Sequence, residues 1–191
     1  MYTVFDTETS GLANFGKSHI DESQPRLVQL AAILYTDGGQ EIASLSTIIQ
    51  PNGFSIPKQA SDVHGISTEM ALQCGISLKT AIEVFAEFVD ISTTVVAHNA
   101  QYDLLVIRKA VHDLGHTGDI FSTKVVHCTK DASTPILRIK KTSGNGYKWP
   151  KLSECYKYFF GLELEGAHDA LVDTRACAKV YEALKAKGAF Q

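Results

Sequence analysis

Three apolar runs precede any helical periodicity in this chain, and that order limits its fold more than any other feature. Tyr2–Thr9 is rich in β-branched and aromatic residues and runs into the polar turn Thr9-Ser10-Gly11. Residues 10–26 are polar and contain glycine, which predicts a long loop. Residues 27–35 are apolar, Asp37-Gly38-Gly39 is a hairpin signal, and 41–49 returns as a third strand. The periodicity then changes after Pro51 and Pro57, with short helical pieces flanking His64-Gly65-Ile66. Apolar spacing over 78–89 and 101–114 predicts helices, with a short buried strand at 93–97 between them. A further strand is predicted at 123–128, a helix at 152–160, and a last helix at about 170–187, ended by Gly188. A hairpin meander followed by alternating strands and helices is an α/β arrangement: a mixed sheet covered by helices.

With 191 residues, 45% of them hydrophobic, the chain can bury a core without disulfides or a structural metal, so 1–191 reads as a single domain. No stretch approaches the ~20 apolar residues of a membrane helix, and the N-terminus has no basic leader. Cys74, Cys128, Cys155 and Cys177 lie far apart without a CxxC pair, which predicts reduced thiols and a cytoplasmic location away from membranes. The phosphate loops GxxxxGK[ST] and GxGxxG and the serine-hydrolase elbow GxSxG do not occur.

Carboxylates sit where an apolar pattern should exclude them. Asp6 and Glu8 are two apart in the first strand, so they share a face and repel unless a cation lies between them. On the last helix, Val172, Ala176, Cys177, Val180, Ala183 and Leu184 fill one half of the wheel, and Asp173 falls in its middle. Asp103 occupies the apolar side of its own helix with Ile107, Val111 and Leu114. A helix dipole accounts for acids in a first turn, but not for their choice of the inward face. Four inward carboxylates from three elements suit hard cations bound through oxygen, Mg²⁺ or Mn²⁺, and a two-metal phosphoryl displacement. His168 falls in the loop entering the last helix, where a histidine titrating near neutrality suits a general base.

These residues resemble a known family. Asp6-Thr-Glu8-Thr-Ser-Gly-Leu is similar to the first motif of the DEDDh 3′–5′ exonucleases, the DnaQ-like group that includes the proofreading epsilon subunit of bacterial DNA polymerase III. His98-Asn-Ala-Gln-Tyr-Asp103 resembles the second motif and His168-Asp-Ala-Leu-Val-Asp173 the third, in its histidine form. Motif order and spacing agree over about residues 2–181, and His64-Gly65-Ile66 also matches. The resemblance implies a ribonuclease H-like fold whose five-stranded sheet is ordered roughly 3-2-1-4-5. It implies two divalent metals on Asp6, Glu8, Asp103 and Asp173, with His168 as general base. The implied reaction releases nucleoside 5′-monophosphates from a free 3′ end, with single-stranded DNA favoured over RNA. RNA 3′-end trimming, or service as a proofreading or nucleic-acid-binding accessory subunit of a polymerase, are the alternatives. A polymerase or a second copy of the chain is the expected protein partner. By the same resemblance Leu12 packs on the terminal base, Asn99 contacts the scissile nucleotide and His64 borders the substrate loop.

Net charge is −3, yet seven of the eight charged residues between Lys124 and Lys151 are basic. The 130–151 stretch reads as an exposed basic arm or loop that departs from a minimal family core. Tyr147 and Trp149 lie among Lys140, Lys141, Lys148 and Lys151 there. Rings interleaved with cations suit single-stranded nucleic acid, which predicts substrate contacts at Lys140, Lys141, Lys148 and Trp149. Tyr102 and His98 read as structural, as does the HxxxH pair His112 and His116 at a helix end.

Overall fold

A computed structural model describes residues 1–190. Five strands form one sheet: β1 (Tyr2–Thr9), β2 (Leu27–Tyr35), β3 (Glu41–Ile48), β4 (Thr94–Ala97) and β5 (Val125–Cys128). Its order is β3-β2-β1-β4-β5, the order the resemblance implied. β1, β2 and β3 pair antiparallel through the meander, while β4 and β5 add in parallel on the other side of β1. Gly39 takes φ 82° in the β2–β3 turn, a left-handed conformation that glycine adopts without a Cβ clash.

Seven helices follow the meander: α1 (Lys58–His64), α2 (Thr68–Cys74), α3 (Leu78–Ile91), α4 (Ala100–Asp113), α5 (Thr129–Leu137), α6 (Leu152–Phe160) and α7 (Ala170–Ala186). α3 starts where Ser77 accepts a hydrogen bond from the Thr80 amide, and it buries Ala81, Ile82, Phe85 and Val89. Strand parity divides the core. Phe5, Leu30, Ala32, Val95 and Ala97 pack on Phe85, Val106 and Ile107 of α3 and α4. Tyr2, Val4, Ile33, Tyr35 and Val96 pack on Cys177, Ala178 and Tyr181 of α7. β2 is covered on both faces, and all nine of its residues are buried.

Two expectations are corrected. The basic stretch is not an arm or loop throughout, because its first third is α5. Residues 129, 132, 133, 136 and 137 recur at helical spacing; Thr129 and Ser133 are buried, and Ala132, Ile136 and Leu137 pack against the Cys155–Val180–Leu184 cluster. The polar composition and Pro135 hide that stripe. Residues 138–151 do form an exposed connection, closed by one bridge between Lys140 and Tyr147. On α7 the buried arc is wider than half a wheel and takes in Thr174, Ala178 and Tyr181, because the helix is covered by the sheet on one side and by α6 on the other. Glu182 is half-buried on this helix and accepts a hydrogen bond from the Tyr2 hydroxyl at 2.6 Å.

All four cysteines are unpaired, with Cys155 and Cys177 buried. Among the described residues no helix is long and apolar enough to cross a membrane.

Candidate active site

The parity of β1 builds the site. Tyr2 and Val4 face α7, so Asp6 and Glu8 continue that face toward the helix that carries Asp173. Thr7 points to the opposite face, toward α4. β4 pairs only with Tyr2–Val4 and leaves the second half of β1 without a partner on that side. Asp103, in the first turn of α4, enters this gap. Its Oδ1 accepts from the Thr7 amide at 3.1 Å and from the Thr7 hydroxyl at 2.8 Å. The carboxylate thus sits buried at a fixed orientation beside β1.

α7 is aligned by its own N-terminus. Asp169 caps it by accepting from the amides of Leu171 and Val172. Gln29, opposite Glu8 in the β1–β2 pairing, accepts from the Ala170 amide at 3.2 Å. Asp173 Oδ2 accepts from the His168 amide at 2.9 Å, which ties the histidine loop to the helix. His168 has φ 70° and Asn99 has φ 76°, so two of the three left-handed residues that are not glycine lie at this site. Such conformations cost energy and persist where the surroundings hold them.

Glu8, His168 and Asp173 each offer a ligand atom, and these atoms lie within 4.8 Å of one another. Asp6 and Asp103 adjoin them electrostatically. Burial raises the Asp6 carboxyl well above its usual range, and Asp103, Asp173 and Glu8 push it further. Glu8 rises to about 8, through burial first and then through Asp173 and Asp103. Burial lifts Asp103 to about 7 against the opposing hydrogen bonds from Thr7. Asp173 also rises by burial, partly offset by the His168 amide. No lysine or arginine is among the groups acting on these four acids. An all-oxygen donor set with its charge uncompensated fits divalent cations of the magnesium type.

The softer candidates lie on two sides of the cluster. Leu12 is 91% exposed and borders a groove of about 500 Å³ with Glu8, Pro57, Val63, His64 and Tyr102. His64 Nδ1 accepts from the Ile66 amide at 3.1 Å, while its buried Nε2 has no partner among the described residues. Burial lowers the pKa of this imidazole. Tyr102 is not purely core: its hydroxyl donates to the Gly11 carbonyl at 2.7 Å and faces the groove. On the other side, the Asn99 side-chain carbonyl accepts from Lys130 Nζ at 2.7 Å, and that ammonium lies 4.4 Å from the centre of the Trp149 ring. Lys148 is tied to Glu154, whereas Lys140 and Lys141 are exposed. A separate cavity of about 440 Å³, lined by Arg26, Phe54, Leu78, Lys109 and Asp113, contains none of the five catalytic candidates.

The exonuclease family model RNase_T matches residues 3–181, which takes in all three acidic elements and His168. The chain belongs to this exonuclease family. DNA polymerase III subunit epsilon of Treponema pallidum is 27% identical over 199 residues, covering 100% of this chain and 79% of that protein. DNA polymerase III PolC-type of Clostridium perfringens is 27% identical over 179 residues, which is 94% of this chain and 11% of that much longer protein. The crystal structure of E. coli exonuclease I in complex with a dT13 oligonucleotide has a TM-score of 0.76 at 17% identity, covering 96% of this exonuclease and 40% of that chain. That last likeness is one of fold.

Three residues of this candidate site were missed in the sequence. Thr7 lies between Asp6 and Glu8 with opposite parity, which predicts that it faces the other layer but not that Asp103 meets it there. Asp169 was readable as an N-cap, since it directly precedes the predicted helix. Lys130 carried no signal, because its partner Asn99 is reached only through the adjacency of β4 and β5.

Proposed function

We propose that this chain is a metal-dependent exonuclease that shortens single-stranded DNA from its 3′ end and releases nucleoside 5′-monophosphates. The observation that carries the reading is the convergence of Asp6, Glu8, Asp103 and Asp173, all raised by burial and the first two also by the charges of Asp103 and Asp173, with His168 the one basic group set against them, at Asp173. These four would hold two divalent ions, Mg²⁺ or Mn²⁺, which when bound supply charge compensation and Lewis-acid activation. The rest is done by the chain. Thr7 holds Asp103 in one orientation. The His168 amide fixes Asp173, and the same loop leaves the imidazole exposed to take a proton from the attacking water. Leu12 and His64 border the terminal nucleotide in the groove beside Glu8, Asn99 approaches it from the α4 side, and Lys140, Lys141 and Trp149 meet the strand further along, with Lys148 held back by Glu154. Residues 1–191 act as one exonuclease domain, and the free thiols fit a cytoplasmic setting.

Single-stranded DNA is favoured because the fold neighbour was solved with a dT13 oligonucleotide, and polarity follows the motif set. A proofreading role beside a polymerase is the second reading, favoured by the relative named subunit epsilon. The deciding experiment digests 5′-labelled single-stranded DNA, duplex DNA and RNA with Mg²⁺, Mn²⁺ or EDTA. A ladder of labelled products that shortens with either metal and stays intact in EDTA is expected. Early release of labelled mononucleotide would reverse the polarity, turnover in EDTA would remove the metal, and faster loss of RNA would replace DNA as substrate. Co-elution with a polymerase checks the second reading.

A further inference from the structure

His98, just past the end of β4, gathers one residue from each end of the 129–150 segment, and Asn99 beside it holds one more. His98 Nδ1 pairs with the Thr129 hydroxyl at 2.9 Å, and its Nε2 meets the Pro150 carbonyl at 3.1 Å. Directly above, Asn99 holds Lys130, and Lys130 covers one face of Trp149. Two linked triplets result, one largely buried (98, 129, 150) and one nearer the surface (99, 130, 149). The inner triplet fixes where the outer one stands. Trp149 nevertheless remains 69% exposed, so its second face and ring edge are open to solvent.

A singly exposed aromatic needs no special explanation, but this ring is held in place by the Lys130–Asn99 contact while most of it stays open. Its position gives it a use. Adjacent strands are ~4.8 Å apart, so the end of β5 lies on the order of 10 Å from β1 along the same rim of the sheet. A strand with its terminal nucleotide at Asp6 and Glu8 that ran over β4 would bring a more distant base to this ring. The ammonium on the inner face is pinned by Asn99, and it polarises the ring without blocking the outer one.

We infer that Trp149, backed by Lys130 and anchored through His98, is a nucleobase-stacking subsite for an unpaired base upstream of the one being removed. The inference rests on the nuclease reading above and adds to it a reason for single-strand preference. A base held in a duplex cannot leave its stack to lie on Trp149 without the cost of unpairing. The subsite takes any base, since every base has a π-face.

Trp149 is the sole tryptophan in the sequence, so intrinsic tryptophan fluorescence reports on this position alone. The experiment titrates the full-length Asp103→Asn protein, which cannot degrade the strand, with single-stranded oligonucleotide in Mg²⁺. Binding is followed separately by anisotropy of a labelled strand. Stacking should quench the fluorescence with the same midpoint as the anisotropy, and an abasic strand of equal length should bind with little quenching. Trp149→Ala should weaken single-strand binding by about 5- to 150-fold, the range for loss of one base–aromatic stack, while Trp149→Phe should recover most of it. Binding with unchanged fluorescence, or equal quenching by the abasic strand, overturns the subsite and leaves the nuclease reading standing. Absence of binding by anisotropy, together with no digestion by the unsubstituted protein, removes both.

Discussion

Asp103→Asn should make the metal-free protein more stable while abolishing hydrolysis. The carboxyl of Asp103 is buried and raised to about 7. Holding it ionised above that pH, against an unfolded value near 4, costs about 4 kcal/mol at 1.36 kcal/mol per pKa unit. Asparagine is nearly isosteric, carries no charge, and keeps an Oδ1 that can accept both hydrogen bonds from Thr7. Relaxation and solvent around the intact cluster reduce the gain to about 1–3 kcal/mol, or about 3–10 °C in Tm for a domain of this size. The pH dependence follows from the direction of the shift. A carboxyl with a raised folded-state pKa stabilises the fold below its unfolded value and loses that contribution as pH rises through about 7. The variant should therefore match the unsubstituted protein near pH 4–5 and exceed it increasingly up to pH 8 in EDTA. Adding Mg²⁺ should raise the Tm of the unsubstituted protein more than that of the variant. Thermal melts across pH, with EDTA and with Mg²⁺, measure all of this. A difference that is flat with pH, or a less stable variant in EDTA at pH 8, would refute uncompensated burial as the principle of the site.

Other outcomes follow from single contacts. His168→Gln should keep the metal-dependent rise in Tm but slow turnover by about 10²–10⁴-fold, the usual worth of a positioned base; single-turnover digestion checks it. Replacing the exposed Lys140 and Lys141 by Ala should reduce the salt slope of single-strand binding by up to about 1.4, with Lys148→Ala adding little because Glu154 already holds it. In Gly75→Ala the new Cβ would lie 2.5 Å from the Gln50 amide nitrogen and against the Ala71 carbonyl, both of them backbone, so denaturant unfolding should show a loss of about 1–3 kcal/mol. Burial lowers the pKa of His98 to about 4, so the unfolded chain binds a proton there before the folded chain does as pH falls below 6.5. That acid-side loss of stability should be absent from His98→Asn, as urea melts between pH 7 and 4 would show.

The four candidate acids were legible because each breaks a local pattern. Period two places Asp6 and Glu8 together whatever the rest of the chain does, and the wheel of 170–187 marks Asp173 as misplaced among apolar neighbours. What surrounds them was not legible, since it depends on where strands stop. Nothing near residue 97 announces that β4 ends early enough for Asp103 to reach Thr7, or that β5 will bring Lys130 beside Asn99. The helix at 129–137 is a different case: its apolar spacing was present, but it was outweighed by polar composition and by Pro135. Composition averages over a segment, whereas burial follows one stripe of it.

The two faces of β1 divide the work in a way that makes the site depend on the strand's register. Even positions carry Asp6 and Glu8 to α7, and the odd position between them carries Thr7 to α4, so one extended strand locks acids from both helical layers into a single cluster. A slip of one residue would send the acids into the α3–α4 core and Thr7 out of reach of Asp103. The pairing with β2 is regular from Tyr2 to Glu8 and shifts only between Glu8 and Thr9, where the last acid has already been placed. Beyond that irregularity the chain leaves the sheet, Thr9 and Gly11 are held through Tyr102, and Leu12 is turned outward at the rim of the groove. The same strand therefore finishes placing the acids and turns Leu12 outward within four residues, so the register that sets Glu8 against α7 also sets the rim of the groove beside it.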